Sequence, residues 1–337
     1  MRPCLLLAAL AAPALGADPR PLIESRGATL EAFEVVLDVA RADHGSPRAL
    51  ALSYAAFDAA ASDDVGARFA RLYQEAHLRA LRRTYVEELV ERQRKEYAAA
   101  GPAARGVAFA VVEERAEGQE RAAVLLERTW EARDPETGAY APASLRVRLH
   151  LRREGRWWWV DRVEQAAAGG AFAARDLGVP PLVEVAAVPP EEPADLATPA
   201  AALRTLQRDM ARLQALRARA QDALYRHYFD LVRAFYGEAI AERARKERPS
   251  PPRAPKVTHE FGEPERRQDG TLRITVTALE EIDAERGRHL PVGQASFSLA
   301  RDALSEWRVV EEFHRPAPDA PLLPRTPSLG LFFGRQG

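Results

Sequence analysis

The chain has 337 residues, with 48 Lys plus Arg against 49 Asp plus Glu, 47% apolar residues and a single cysteine. That length accommodates two domains with cores of their own. The balanced charge leaves no electrostatic footprint for nucleic acid or an anionic membrane surface, and one thiol cannot build a disulfide framework or a cysteine-ligated metal site.

Residues 1–16 carry Arg2, an apolar run from Cys4 to Leu15, and Ala14-Leu15-Gly16 placed as a cleavage site. They read as a secretory signal, too short to span a bilayer as a helix. The expected mature chain is exported, periplasmic or secreted, and has no thiol and no transmembrane segment. A helix is expected from Thr29 as N-cap, with Leu30, Phe33, Val36, Leu37 and Ala40 on one face. A second should start at Pro47, turn Leu50, Tyr54 and Phe57 inward, and stop near Ser62. A third, from Gly66 to Tyr97, carries the apolar stripe Phe69, Leu72, Tyr73, Ala76, Ala80, Leu81, Tyr85, Leu89 and Val90.

Past Gly101-Pro102 the period becomes extended. Strands are expected at Val107 to Glu114 and Ala122 to Trp130 around the turn Glu117-Gly118, then a hairpin from Ala143 to Gln165. Residues 166–197, with two Pro-Pro pairs, form a linker that is partly extended and docked. Thr198-Pro199 opens the next helix, and from Leu203 to Lys246 no proline interrupts it. Unbroken, it would reach roughly 65 Å, so it should bend or project. Four strands follow, near residues 257–261, 271–278, 294–300 and 307–313, and then a Pro-rich tail, 316–337, in which Leu329 to Phe333 are expected either to dock against a domain or to serve as a short apolar tag.

The chain repeats itself. Gly293 to Arg315 lies over Ala143 to Gln165 without a gap, setting Val147 over Phe297, Leu149 over Leu299, Trp157 over Trp307 and Asp161 over Glu311. EELVERQRKE at Glu87 lies over EAIAERARKE at Glu238, with Tyr85 over Tyr236. The fold class is therefore α+β: two tandem cone-shaped domains, 17–165 and 198–315, each with helices packed on a bent antiparallel sheet.

Helices followed by a sheet that closes on a Trp hairpin, EGRWWWVDRVE or LSEWRVVEEFH, resemble the nuclear-transport-factor-2-like superfamily shared with ketosteroid isomerase and polyketide cyclases. The resemblance covers most of both copies and implies a fold that hosts enzymes, carriers and inert modules alike. RRTYVEELVE followed by WWWVDRV is also similar to the periplasmic phospholipid-carrier family of toluene tolerance, which implies acyl chains held in the cone. Here Glu164-Gln165-Ala166 replaces that family's Gly-Val-Ser continuation.

On these grounds the chain reads as a binding or interaction protein, with a hydrophobic small molecule or lipid as ligand, or a protein partner or second copy as partner. Trp157, Trp159, Tyr73, Tyr85, Trp307 and Tyr236 are the candidate cone-lining residues. Trp158, on the opposite phase of its strand, is the candidate interface residue. Asp161 and Glu311 are the candidate proton shuttles of the alternative, a cyclase- or isomerase-like enzyme; the third reading is a scaffold with filled cones. The seven histidines show no repeated ligand spacing, and no phosphate loop, dinucleotide fingerprint or nucleophile elbow occurs, so no metal or cofactor is expected.

Overall fold

The computed structural model describes residues 22–101, 104–134, 137–167, 169–175, 187–248, 257–283, 287–315 and 323–324. The expected signal at 1–16, part of the linker and the apolar tag at Leu329 to Phe333 lie outside the described residues.

The expected first helix is instead a hairpin, β1 (Ile23–Arg26) against β2 (Glu34–Leu37), followed by a single 3-10 turn. Alternation explains it: Ile23, Ser25 and Val35 are buried while Arg26 and Glu34 are exposed, and the β-branched pair Val35-Val36 fits a strand. Thr29 does cap, but only a turn, its hydroxyl accepting from the Ala32 amide at 3.3 Å.

Helix α1 (Pro47–Ala60) starts as expected, Ser46 accepting from the Ala49 amide at 3.1 Å. It does not stop near Ser62 but runs through a π-helical turn, Ala61–Gly66, into α2 (Ala67–Arg82). The wider turn rotates the apolar stripe, so α1 and α2 address different neighbours. Residues 83–86 then leave the helix before α3 (Glu87–Ala100). In the second half α4 (Pro199–Arg226), α5 (Tyr228–Tyr236) and α6 (Glu238–Lys246) are separated at His227 and Gly237, so the expected long helix is broken twice. Gly237 has φ +90, a backbone region in which a side chain is strained, and its amide closes α5 on the Arg233 carbonyl.

One sheet contains β3 (Ala104–Ala116), β4 (Arg121–Arg133), β5 (Tyr140–Glu154), β6 (Trp157–Ala167) and the short β7 (Ala173–Ala174), in that order and antiparallel. The other contains β8 (Val257–Phe261), β9 (Glu265–Arg266), β10 (Leu272–Asp283), β11 (Arg288–Arg301), β12 (Trp307–Arg315) and β13 (Leu323–Pro324), ordered β13-β12-β11-β10-β8 with β9 beside β10. The architecture is α+β, with these two large sheets, each covered by helices, beside the two-stranded β1–β2 sheet.

The helices are exchanged between the halves. Leu72 and Leu81 of α2 and Leu89 and Val90 of α3 share one core with Ile274, Phe297, Leu299 and Val309 of the second sheet and Leu203, Leu206 and Met210 of α4. Conversely Phe235 of α5 is buried with Leu50, Ala51 and Ala55 of α1 and Val124, Leu149 and Val160 of the first sheet. The crossing points match. The extended Thr84-Tyr85-Val86 pairs with β12, Val86 donating to the Val309 carbonyl at 3.1 Å and Val309 donating to Thr84 at 2.9 Å. At the equivalent break of the other half, Arg152 donates to the Tyr236 carbonyl at 2.9 Å and Trp159 lies beside Gly237.

Strand pairing also corrects the gapless alignment of the two Trp hairpins. Leu151 faces Val160 in the first and Leu299 faces Val309 in the second, each followed by a one-residue bulge, at Asp161 and at Val310. Leu149 facing Val163 therefore corresponds to Phe297 facing Glu312, Trp158 to Trp307, and Asp161 to Val310 rather than Glu311. The two hairpins differ in loop length, Glu154 facing Trp157 but Arg301 facing Trp307, and a loop difference moves register without moving strand pattern.

The linker is docked where described: Leu196 is buried, its carbonyl accepts from the Trp307 amide at 2.9 Å, and Arg208 and Arg212 of α4 reach the Pro193 and Pro189 carbonyls.

Candidate functional site

Two cross-strand rows of the first sheet face α1. Phe109, Arg128 and Leu145 stand side by side on β3, β4 and β5, and Leu126, Val147 and Gln165 form the next row on β4, β5 and β6. Above them Tyr54 and Asp58, four residues apart, share one face of α1. The edge is closed by Arg175, which follows β7 and whose amide donates to the Val163 carbonyl at 2.9 Å. Tyr54, Asp58, Phe109, Arg128, Leu145, Val147, Gln165 and Arg175 thus enclose a cavity of about 190 Å³.

Its polar groups are ordered by one another. Asp58 holds Arg128 at 3.2 Å, and that guanidinium also lies 5.0 Å from the Trp130 ring centre. Arg175 donates to the Tyr54 hydroxyl at 3.5 Å, a long bond, with the Tyr236 hydroxyl beside it. Burial pushes the Tyr54 phenol up, with Arg175 opposing, and burial raises Tyr236 further. Both stay protonated donors across the physiological range. Tyr54 also rests edge-on against Phe235 at 5.4 Å, so two residues of α5, from the opposite half of the chain, complete the wall behind the site.

The corresponding region of the second sheet is filled. Aligning the two capped helix starts, Ser46-Pro47 and Thr198-Pro199, sets Tyr54 over Leu206 and Asp58 over Met210; aligning β4 with β10 sets Arg128 over Ala278. All three counterparts are buried apolar residues of the second half. The buried carboxylate here is Glu312, 4% exposed, accepting from the Tyr85 hydroxyl at 2.8 Å. Burial, and then Glu312, raise the Tyr85 phenol far above its ordinary value.

The expected site residues are dispersed. Tyr236 is the one behind the cavity. Tyr85 ties the break between α2 and α3 to Glu312, and Tyr73 packs in the second core, stacked 6.5 Å from His77. Trp307 is half-buried under Arg301. Trp157 and Trp158 exchange their expected places: Trp157 is 43% exposed beneath Arg156, whereas Trp158 packs on the first core and its amide donates to the His44 carbonyl at 3.0 Å. Trp159 lies 4.4 Å from the His44 ring. The bulge at Asp161 causes the correction, because one extra residue reverses the inward phase along the strand. Asp161 and Glu311 are exposed, with Arg152 and Arg267 at 3.9 and 3.7 Å. They share neither the expected equivalence nor an inward position.

Sequence reasoning missed Asp58, Arg128, Arg175 and Glu312. The i,i+4 pair Tyr54/Asp58 was a signal that could have found half the site; Arg128 and Gln165 needed the register.

Two other buried titratable groups stand apart. The His77 ring, hydrogen-bonded through Nδ1 to the Tyr97 hydroxyl, is pushed down to about 4 by burial. Asp209, 3.2 Å from Arg83 beside a cleft of about 40 Å³ between α2 and α4, is pushed up to about 6 by burial against the pull of Arg83. Among the described residues no three His, Cys, Asp or Glu side chains are grouped to hold a metal ion, and no helix is long and apolar enough to cross a membrane.

No family model matches this sequence. No curated protein matches it either. Among solved structures, an "Ntf2 like protein involved in plasmid conjugation" is similar at 9% identity and a TM-score of 0.14, covering 74% of this chain and 86% of that one. A likeness that distant is a hint of the nuclear-transport-factor-2-like class and carries no argument about fold or function.

Proposed function

We propose that this protein binds a small polar molecule in the cavity under its first sheet and performs no chemistry on it, with the second half serving as the packed partner that supplies α5. The observation that carries this reading is the asymmetry of the repeat: Tyr54, Asp58 and Arg128 surround about 190 Å³ in one half, where Leu206, Met210 and Ala278 fill the other. That volume equals about six waters at ~30 Å³ each. It lies below the ~300 Å³ at which drug-sized ligand pockets begin, which favours a small molecule over a lipid chain. Against catalysis stand two facts. Asp58 is committed to Arg128, and Glu312, the buried carboxylate with a tyrosine partner, lies in the half packed with apolar side chains. We also propose export, on residues 1–16; sequencing the N-terminus of protein recovered from fractionated cells tests it.

A ligand-observed NMR fragment screen tests the binding reading, repeated on Leu145→Phe, which narrows the cavity from its wall. Fragments bound by the parent and lost in the variant support it. Binders indifferent to Leu145→Phe would place the ligand elsewhere and end the proposal.

A further inference from the structure

The cavity's donors outnumber its acceptors, and we infer that its ligand is a small monocarboxylate with an apolar or aromatic body. This rests on the binding reading above and adds the chemical class. Of the charged lining residues, Asp58 cancels Arg128 at 3.2 Å, whereas Arg175 makes no ion pair among the described residues. Among the described residues the lining therefore carries one guanidinium in excess, on an exposed side chain at the cavity's rim whose backbone is bonded to Val163.

The Tyr54 hydroxyl adds to the donors. A phenol has one proton to give and accepts through its oxygen. Tyr54 accepts from Arg175 through its oxygen, which leaves the phenol a proton to give. Gln165 adds an amide group on the next strand. Guanidinium, phenol and amide donors converging on one small space suit the two oxygens of a carboxylate, the bonds to a charged acceptor being the strong ones. Beside Arg128 and Gln165 on the same sheet face, Phe109, Leu145 and Val147 provide an apolar floor that suits a ring or a short branched chain and offers nothing to a second charge. A phosphate or dicarboxylate would bring more negative charge than Arg175 balances.

Benzoate, its neutral isostere benzamide and the cation benzylamine form a matched probe set for titration calorimetry on the full chain. Benzoate should bind at least about tenfold tighter than benzamide, the scale of one charge-assisted hydrogen bond. Arg175→Met should remove that preference, weakening benzoate about tenfold more than benzamide. Asp58→Asn deletes the lone carboxylate and should tighten benzoate, which keeps the inference testable if the Arg175 variant folds poorly. Benzamide or benzylamine binding as well as benzoate, or benzoate indifferent to both substitutions, would overturn the carboxylate assignment and leave a small-molecule site standing. Probes that all fail while fragments still occupy the cavity would overturn it too. Failure of every fragment would instead remove the binding reading beneath it.

Discussion

Truncating Phe235 should loosen the sheet of the other half of the chain. Phe235 sits on α5, inside the second repeat in sequence, yet is 3% exposed in the first core, with Tyr54 and Phe57 at ring distances of 5.4 and 5.9 Å. Phe→Ala at such a site costs about 3–5 kcal/mol, transfer and cavity terms together. At about 1.4 kcal/mol per power of ten, amides that exchange by opening that core should speed up roughly a hundredfold to several thousandfold. Native-state hydrogen exchange on the Phe235→Ala variant measures this residue by residue. The expected pattern is loss of protection in β4, β5 and β6, with β10 and β11 much less affected. Leu81→Ala, from α2 in the first half but buried against the second sheet, should give the mirror image. Loss of protection following sequence halves, with Phe235→Ala loosening β10 and β11, would refute the exchange of helices.

The two shifted buried groups make opposing pH contributions. His77 titrates near 4 in the fold and about 6.5 unfolded, so its contribution is present above 6.5 and lost as pH falls toward 4. Asp209 titrates near 6 in the fold and about 3.9 unfolded, so its contribution is present below 3.9 and lost as pH rises through 6. Each is worth about 3 kcal/mol over its window, and urea midpoints between pH 4 and 6.5 should separate them: Asp209→Asn loses stability on acidification, His77→Gln gains it. Identical pH slopes in the two variants would contradict both assignments. Tyr85→Phe removes the donor to buried Glu312 and should cost about 1–3 kcal/mol in urea unfolding, with Glu312→Gln restoring much of it in the double variant; a neutral single substitution would show the bond to be idle. Gly237→Ala, forced to φ +90, should cost about 1–2 kcal/mol, read as a lower melting temperature, and an unchanged melt would argue that the break between α5 and α6 relaxes freely.

Element types were legible in the sequence because they depend on local period and capping. Ser46-Pro47 and Thr198-Pro199 announce α1 and α4, and the eight long strands fall close to their alternating segments. What was not legible is pairwise. An amphipathic stripe on α2 says that a face is buried, not which sheet buries it, and both sheets offer similar apolar faces. Residues 29–40 were misread because Leu30, Phe33, Val36 and Leu37 satisfy a helical spacing, while Val35-Val36 and the left-handed Gly27 favour a hairpin. The candidate carboxylates failed for a single cause: a bulge in each Trp hairpin shifts phase by one residue, carrying Asp161 and Glu311 outward and Glu312 inward. Tyr54 was correctly expected to face inward, but its partners Arg128 and Arg175 lie 74 and 121 residues away and meet it only through β-sheet register.

The exchange of helices also orders events in time. A ribosome releases the first sheet and α1 long before residues 228–236 exist, so the first core must wait for Phe235 with Leu50, Val124 and Leu149 incompletely covered. The stripe of α2 meanwhile has no sheet to cover, since β10 to β12 are synthesised last. Folding is therefore a single late closure rather than two successive ones, governed by contacts of long sequence separation and correspondingly slow. Until that closure the nascent chain displays two unfinished apolar faces.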